Sequence, residues 1–283
     1  MYILLILLSV VLSQCESVTI KEYARRHGSG GMFFSGVICF FALIFFVVTD
    51  KGGFYFPNKL FYFGLANCVC YATGFYAMYM ALRLGSLANT KLISSLTGVV
   101  TIAYGILVFD EPVGRFTYPA IGLVFLSIFL MNYKKGDGTF SIKWLFWSLM
   151  VVVSNSPIGI LKREQQLFFN GKCDNEYMII TLVGASLFLL VMSAFKERDN
   201  ITVIFKKGIV YGALAGILNG AGNFLNLFIY SFVPLSLASP ISSASALVLS
   251  FLISSFIYKE KFSKRQIVAA VIGTASVVLF KIS

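Results

Sequence analysis

Residues 84–132 read LGSLANTKLISSLTGVVTIAYGILVFDEPVGRFTYPAIGLVFLSIFLMN, and residues 233–281 repeat the pattern as VPLSLASPISSASALVLSFLISSFIYKEKFSKRQIVAAVIGTASVVLFK. Each copy consists of an apolar segment, a short charged elbow and a second apolar segment rich in small residues. A repeat of this length indicates that the chain consists of two related halves. With an offset of about 150 residues, the matched positions are Ser86 and Ser236, Glu111 and Glu260, and Ala120 and Ala269.

The composition is typical of a membrane protein. Of the 283 residues, 58% are hydrophobic and 12% are charged, and the mean hydropathy is +0.85; soluble domains carry roughly 25% charged residues. Apolar runs of about 20 residues, the length of helix that crosses a bilayer, recur along the whole chain. We therefore predict an all-α integral membrane protein with ten transmembrane helices, at approximately residues 2–24, 31–49, 58–81, 85–109, 115–133, 142–165, 176–195, 208–232, 235–257 and 264–282.

The two copies of the repeat assign five predicted helices to each half, residues 1–137 and 138–283. An odd number of crossings inserts the second half into the membrane upside down relative to the first. Two inverted repeats that face each other are an architecture of secondary transporters, with a site near the midplane that opens to either side in turn. We expect one transmembrane domain built from two inverted five-helix repeats.

The formal net charge of +11 does not require a nucleic-acid partner. Lys and Arg are expected to collect in cytoplasmic loops and to contact anionic lipid headgroups. In the predicted topology 15 of them lie on the side of the first loop and 7 on the other side, with Lys162 and Arg163 among the 7 and Lys91 inside the membrane. Taken literally, this distribution places the first loop in the cytoplasm and both termini outside.

Short motifs recur in both halves. They are Ser86-Leu87-Ala88 and Ser236-Leu237-Ala238, the elbows at Glu111 and Glu260, the small residues Ala120 and Ala269, and the pairs Ser13-Gln14 and Ser154-Asn155. With these motifs the chain resembles the drug/metabolite transporter superfamily, in its ten-helix EamA-type form. The resemblance implies a transporter of amino acids, drugs, quaternary amines, nucleotide sugars, triose phosphates or lipid-linked sugars. It also implies that both termini lie inside, so the sidedness stays open.

Glu16 lies about 14 residues into the first predicted helix, near the middle of the bilayer or past it. An ionised carboxylate at that depth costs a few kcal/mol unless it is paired or faces water. One interpretation is that Glu16 exchanges a proton for a cationic or zwitterionic substrate as the two halves rock. The alternative is that it pairs with Lys91 or another buried donor and only holds helices together.

Lys91 lies about six residues into the fourth predicted helix, and the matching position of the second half has no charge. Its ammonium group can attract a carboxylate or phosphate of the substrate. Alternatively, its aliphatic stem runs along the helix and the ammonium group reaches the membrane surface. If both Glu16 and Lys91 face one cavity, they suit a zwitterion such as an amino acid.

Asn219, Asn223 and Asn226 follow one another at helical spacing in the eighth predicted helix, so they share one face. Three amides in hydrocarbon are costly unless they line a cavity or bond to other helices, and both interpretations stay open. Nearby glycines, Gly216, Gly220 and Gly222, allow neighbouring helices to approach closely.

Tyrosines and a further amide supply the remaining candidates. Asn67 and Tyr71 share one face of the third predicted helix, and tyrosine rings such as that of Tyr76 can bind an ammonium group. The full set of candidate substrate-binding residues is Gln14, Glu16, Asn67, Tyr71, Tyr76, Lys91, Asn155, Asn219, Asn223 and Asn226, with Glu16 also the candidate proton-coupling residue.

Motifs of other function classes are missing from the sequence. It contains no Walker loop, zincin motif or nucleophile elbow, which argues against ATP-driven transport by this chain alone and against an intramembrane enzyme. Five cysteines, an odd number, suggest neither a disulfide framework nor a metal site. We expect no enzyme activity, no catalytic residue, no cofactor and no metal.

The expected function is secondary active transport of a small polar or amphiphilic metabolite by alternating access, with proton coupling through Glu16. A flippase for lipid-linked sugars and a non-transporting receptor or assembly subunit are the alternatives. The expected partners are a small-molecule substrate, membrane lipids and protons. A monomer suffices, a dimer stays open, and the default location is a bacterial plasma membrane.

Overall fold

The structure, a computed structural model, describes residues 2–50, 53, 55–110, 114–132, 141–198, 201–259 and 264–282. In these ranges the chain is helical nearly throughout, as the sequence predicts. The eleven helices are α1 (Tyr2–His27), α2 (Gly31–Thr49), α3 (Asn58–Leu84), α4 (Leu87–Ser94), α5 (Leu96–Val108), α6 (Thr117–Asn132), α7 (Ile142–Phe169), α8 (Asp174–Lys196), α9 (Ile201–Phe232), α10 (Leu235–Phe256) and α11 (Lys264–Ile282).

Eight helical segments in the described part of the chain are long and apolar enough to cross a membrane. Helices α4 and α5 together form one of these segments, Leu87–Val108, and a shorter apolar helix, Tyr118–Ser127, lies within α6. Helix α9 ends at Phe232 and α10 begins at Leu235, so the predicted break at Val233-Pro234 is confirmed. The multi-pass architecture is therefore confirmed, whereas the count of ten crossings stays a prediction. The elbows at Glu111 and Glu260 lie outside the described residues.

The two halves pack against each other in a reciprocal way. Helix α1 packs on α9, and its counterpart α7 packs on α3, the counterpart of α9. In the same way α2 contacts α9 while α8 contacts α3, and α6 pairs with α11. This exchange of equivalent contacts is what a two-repeat architecture produces when the repeats face each other across a central axis. Helices α1, α3, α7 and α9 form a closed ring of contacts, because α1 and α7 each contact both α3 and α9.

Glycines bring α2 and α9 into close contact. A methyl group at Gly216 would lie 2.5 Å from the carbonyl oxygen of Ile38 and 2.6 Å from Cβ of Phe41. One turn further, a methyl group at Gly220 would lie 2.8 Å from Cβ of Phe45. The expectation that these two glycines permit close helix packing is confirmed, because no side chain fits at these positions. Helix α9 is thereby held at a defined distance from α2, with its amide face directed toward the centre.

Gly216→Ala is expected to destabilise the protein by about 1–3 kcal/mol, because the added methyl group meets backbone atoms of α2 that cannot move alone. Gly122→Ala in α6 is the matched control, since a methyl group there meets no atom within 4 Å among the residues that the structure describes. The measurement is the thermal unfolding midpoint of both variants in detergent. Equal midpoints would contradict the close approach of α2 and α9.

Candidate functional site

A polar cavity lies at the centre of the bundle, between both halves of the chain. Its volume is about 280 Å³, and side chains of α1, α3, α4, α5, α7, α9 and α10 line it. Ligand cavities commonly measure roughly 300–1,000 Å³, so this one suits a small metabolite. Seven of the ten candidate residues line it: Glu16, Tyr71, Lys91, Asn155, Asn219, Asn223 and Asn226.

Three charged side chains face this cavity from three different helices. Among the described lining residues they are Glu16 of α1, Lys91 of α4 and Lys162 of α7. Lys91 is 8% exposed and Lys162 is 3% exposed, so neither ammonium group extends to the membrane surface. The interpretation in which the ammonium group of Lys91 reaches the membrane surface is thus wrong. Charges are costly in a bilayer, and the three groups are retained here in contact with a cavity rather than with lipid.

A chain of hydrogen bonds joins the carboxylate of Glu16 to the ammonium group of Lys162. Asn219 Nδ2 donates to Glu16 Oε1 at 3.2 Å, and Asn223 Nδ2 donates to Asn219 Oδ1 at 2.9 Å. Asn223 Oδ1 in turn accepts hydrogen bonds from Lys162 Nζ and, at 2.8 Å, from the Tyr71 hydroxyl. Two amides therefore separate the opposite charges, and both interpretations of the Asn row apply, since Asn219 and Asn223 line the cavity and also bond to other helices.

The two lysines lie in different parts of this polar region. Lys162 donates to Asn223 Oδ1 in the central cavity. Lys91 lines the central cavity and also an adjoining cavity of about 190 Å³, whose described lining includes neither Glu16 nor Lys162.

Comparison with known proteins identifies the family of this chain. The model of the EamA-like transporter family matches residues 1–133 and 142–282. The chain belongs to the EamA-like transporter family. Members are typically membrane transporters of small solutes and not enzymes. Among solved structures 28 chains match, one of them titled "Crystal structure of protein", with 11% identity, a TM-score of 0.69 and coverage of 99% of this chain and 96% of the other, which shows the fold alone. No curated protein gives a significant match.

Three candidate residues of this EamA-like protein lie away from the cavity. Gln14 is fully buried, and its Nε2 donates to the carbonyl of Ala246 at 2.9 Å, which ties α1 to α10. Asn67 donates to Thr181 Oγ1 at 3.2 Å between α3 and α8. The Tyr76 ring packs edge-on against another ring of α7, with centroids 5.2 Å apart. The structure does not bring these three side chains to the site, because each faces a neighbouring helix.

Lys162 is the residue that sequence reasoning missed. The charge count places Lys162 with the cations of one membrane face, whereas in the structure it lies within α7 and is buried. Two signals in the sequence indicate a helical position: Lys162 lies within the predicted helix 142–165, and it follows Ser154-Asn155 as Lys21 follows Ser13-Gln14, at an offset of about 141 residues. The charged run Lys162-Arg163-Glu164 is nevertheless typical of a membrane surface, and the contacts of Lys162 with Asn223 and the Tyr71 ring become apparent only in the tertiary structure.

Proposed function

We propose that this protein is a secondary active transporter that moves a small polar metabolite through the central cavity by alternating access. The observation that carries this proposal is the cluster of Glu16, Lys91 and Lys162, which line one cavity, are assembled from both halves of the chain and include two buried lysines. Charged groups at membrane depth are costly, and their usual role is in substrate or ion pathways. Membership in the EamA-like family supports the same conclusion.

The arrangement of the halves supports alternating access. The cavity is lined by α1, α3, α4 and α5 from the first half and by α7, α9 and α10 from the second, so any relative rotation of the halves changes its walls. Rocking of one repeat against the other around a central site is how repeat-built transporters expose that site to each side in turn. One chain contains both repeats, and a monomer is therefore sufficient for this mechanism.

Glu16 is the proposed coupling residue. Its carboxylate shares the cavity with two lysines and accepts a hydrogen bond from Asn219, whose amide can donate to the carboxylate and also to the carbonyl oxygen of the protonated acid. Binding of a cationic substrate group favours the ionised carboxylate, and release of that group favours its protonation. A proton and a substrate ammonium group thus compete for one position. This competition is the chemical basis of the proposed proton coupling.

The proposed substrate site consists of the cavity-lining residues together with Lys162. We place the protein in a bacterial plasma membrane by default, in contact with lipids, and the proposal requires no nucleic acid, metal or cofactor. Gln14, Asn67 and Tyr76 are omitted from the proposed site because their side chains are used in helix packing.

A flippase for a lipid-linked sugar is the second candidate, and one groove favours it. This groove of about 580 Å³ lies between α7 and α9 and is lined by Phe224, Phe228 and Phe232 beside Arg163. An aromatic groove at the side of the bundle could hold an isoprenoid chain. However, its lining has no described residue in common with the central cavity, so we rank this function below transport of a soluble metabolite.

A thermal-shift screen of the purified protein in detergent tests the proposal. The panel contains amino acids, quaternary amines, nucleosides, sugar phosphates and polyprenyl-linked sugars. A ligand at one hundred times its dissociation constant should stabilise the folded state by about 2.7 kcal/mol. We expect stabilisation by one soluble class, followed by its uptake into proteoliposomes. Stabilisation by the polyprenyl-linked sugars alone would support the flippase, and failure of all soluble classes to enter proteoliposomes would contradict the transport proposal.

A further inference from the structure

The charges of the central cavity do not balance, and this imbalance defines a class of cargo. Resting on the proposed function, we propose that the transported solute carries one ammonium group and two separate acidic groups, as in an amino acid with an acidic side chain. Among the described lining residues the cavity has two ammonium groups, Lys91 and Lys162, and one carboxylate, Glu16. A solute of this class supplies the complementary set of two negative charges and one positive charge.

The need for a second acidic group follows from Lys162. With a simple zwitterion, the ammonium group of the solute faces Glu16 and its carboxylate binds one lysine, which leaves the other lysine without an anion. An unpaired charge in a buried site is strongly unfavourable. Lys162 has Asn223 Oδ1 as an acceptor, but an amide oxygen carries no net charge to offset the ammonium group. A second carboxylate or phosphate on the solute removes this deficit.

The positions of the charges require the two acidic groups to be separate. Lys91 also lines an adjoining cavity of about 190 Å³ whose described lining includes neither Lys162 nor Glu16, so the two ammonium groups lie in different parts of the site. Asn219 and Asn223, four residues or about 6 Å apart along α9, lie between Glu16 and Lys162 and supply hydrogen bonds along the path. The solute therefore extends along the cavity, with an acid at each end and its ammonium group near Glu16.

The need for an ammonium group distinguishes this class from simple dicarboxylates. A dicarboxylate would satisfy both lysines but would place its negative charges beside the ionised carboxylate of Glu16. Like charges in a buried site repel each other strongly. An ammonium group on the solute converts that repulsion into attraction, and all three charges of the cavity are then paired.

Competition for uptake into proteoliposomes tests this inference. Labelled glutamate is the substrate, and the unlabelled competitors are aspartate, phosphoserine, glutamine and succinate. We expect aspartate to inhibit at a concentration at least roughly tenfold below that of glutamine or succinate, the factor expected for one buried charged interaction. Inhibition by phosphoserine, compared with that by aspartate, shows whether the second acid is a carboxylate or a phosphate.

Lys162→Gln provides the matched variant. Removing its charge should shift the preference from glutamate toward glutamine, so that the two inhibit uptake at concentrations within about twofold of each other. A misfolded variant would lose uptake and would not gain inhibition by glutamine. Lys143→Gln removes an exposed lysine from the same helix and should leave the preference of the wild-type protein unchanged. If Lys162→Gln does not fold, the same shift is measured with Lys91→Gln.

The outcomes separate this inference from the proposed function. Preferential uptake of neutral zwitterions or of cations by the wild-type protein would overturn the inference and leave the transport function standing. Preference for acidic amino acids that persists unchanged in both lysine variants would also overturn it. If no solute of any charge is taken up, the transport function itself is wrong.

Discussion

Glu16→Gln is expected to abolish uphill, pH-driven uptake, with a loss of at least about 100-fold in the accumulated solute. Glutamine keeps the hydrogen bond from Asn219 but can neither ionise nor release a proton. It therefore leaves the ammonium group of a bound solute without a negative partner and removes the competition between proton and substrate. Exchange of labelled for unlabelled solute, which needs no proton gradient, should survive better than net uphill uptake. The measurement is uptake into proteoliposomes with and without an imposed pH gradient.

Glu22→Gln is the matched control for this prediction. Glu22 lies on the same helix and forms ion pairs with Arg25 at 2.9 Å and Arg26 at 2.5 Å, outside the cavity. Such surface pairs contribute roughly 0–1 kcal/mol, so this variant should fold and transport normally. Uphill uptake by Glu16→Gln with an unchanged pH dependence would show that Glu16 is not the coupling residue.

Asn223→Leu is expected to have the second largest effect, on both stability and transport. The amide oxygen of Asn223 accepts hydrogen bonds from Lys162 and Tyr71, and its amino group donates to Asn219. Leucine breaks all of these contacts and leaves a buried ammonium group without an acceptor, at a cost of about 3 kcal/mol. The hydrogen-bonded path between Lys162 and Glu16 is interrupted at the same time. We expect a lower thermal unfolding midpoint in detergent and no detectable uptake.

Asn226→Leu is the comparison for this variant, because Asn226 lines the same cavity but lies outside the chain of hydrogen bonds that joins Glu16 to Lys162. It introduces the same bulk and the same loss of polarity on the same face of α9. Its unfolding midpoint should stay close to that of the wild-type protein. If both variants are equally stable, Asn223 does not hold the network together.

Much of the candidate site could be predicted because intramembrane polarity is rare. Glu16 and Lys91 are charges within apolar runs, and the three Asn residues of α9 repeat at helical spacing, so each is conspicuous in the sequence. All five line the cavity. By contrast, Gln14 and Asn67 are equally polar and equally deep, yet their side chains bond to neighbouring helices. Depth in the membrane predicts that a polar group needs a partner, but it does not tell whether that partner is a helix or a cavity.

Lys162 shows the opposite case. It lies near the end of the predicted helix 142–165 beside the charged residues Arg163 and Glu164, and the amide of α9 that accepts its hydrogen bond is 61 residues away in the chain. Helical periodicity relates residues of one helix and contains no information about contacts between helices. A residue of this kind becomes apparent only when α7 and α9 are placed beside each other.

The sequence by itself determined the membrane class, the two-half organisation and the family, because hydropathy and internal repetition are properties of the linear chain. It also determined which polar residues lie at membrane depth. Only the tertiary structure decided which of them share one cavity, that two amides separate Glu16 from Lys162, and that cations outnumber anions among the described lining residues. The physical reason is that burial and pairing are properties of several helices together. The rotation of each helix about its axis, set by contacts such as those of Gly216 with α2, decides which side chains meet.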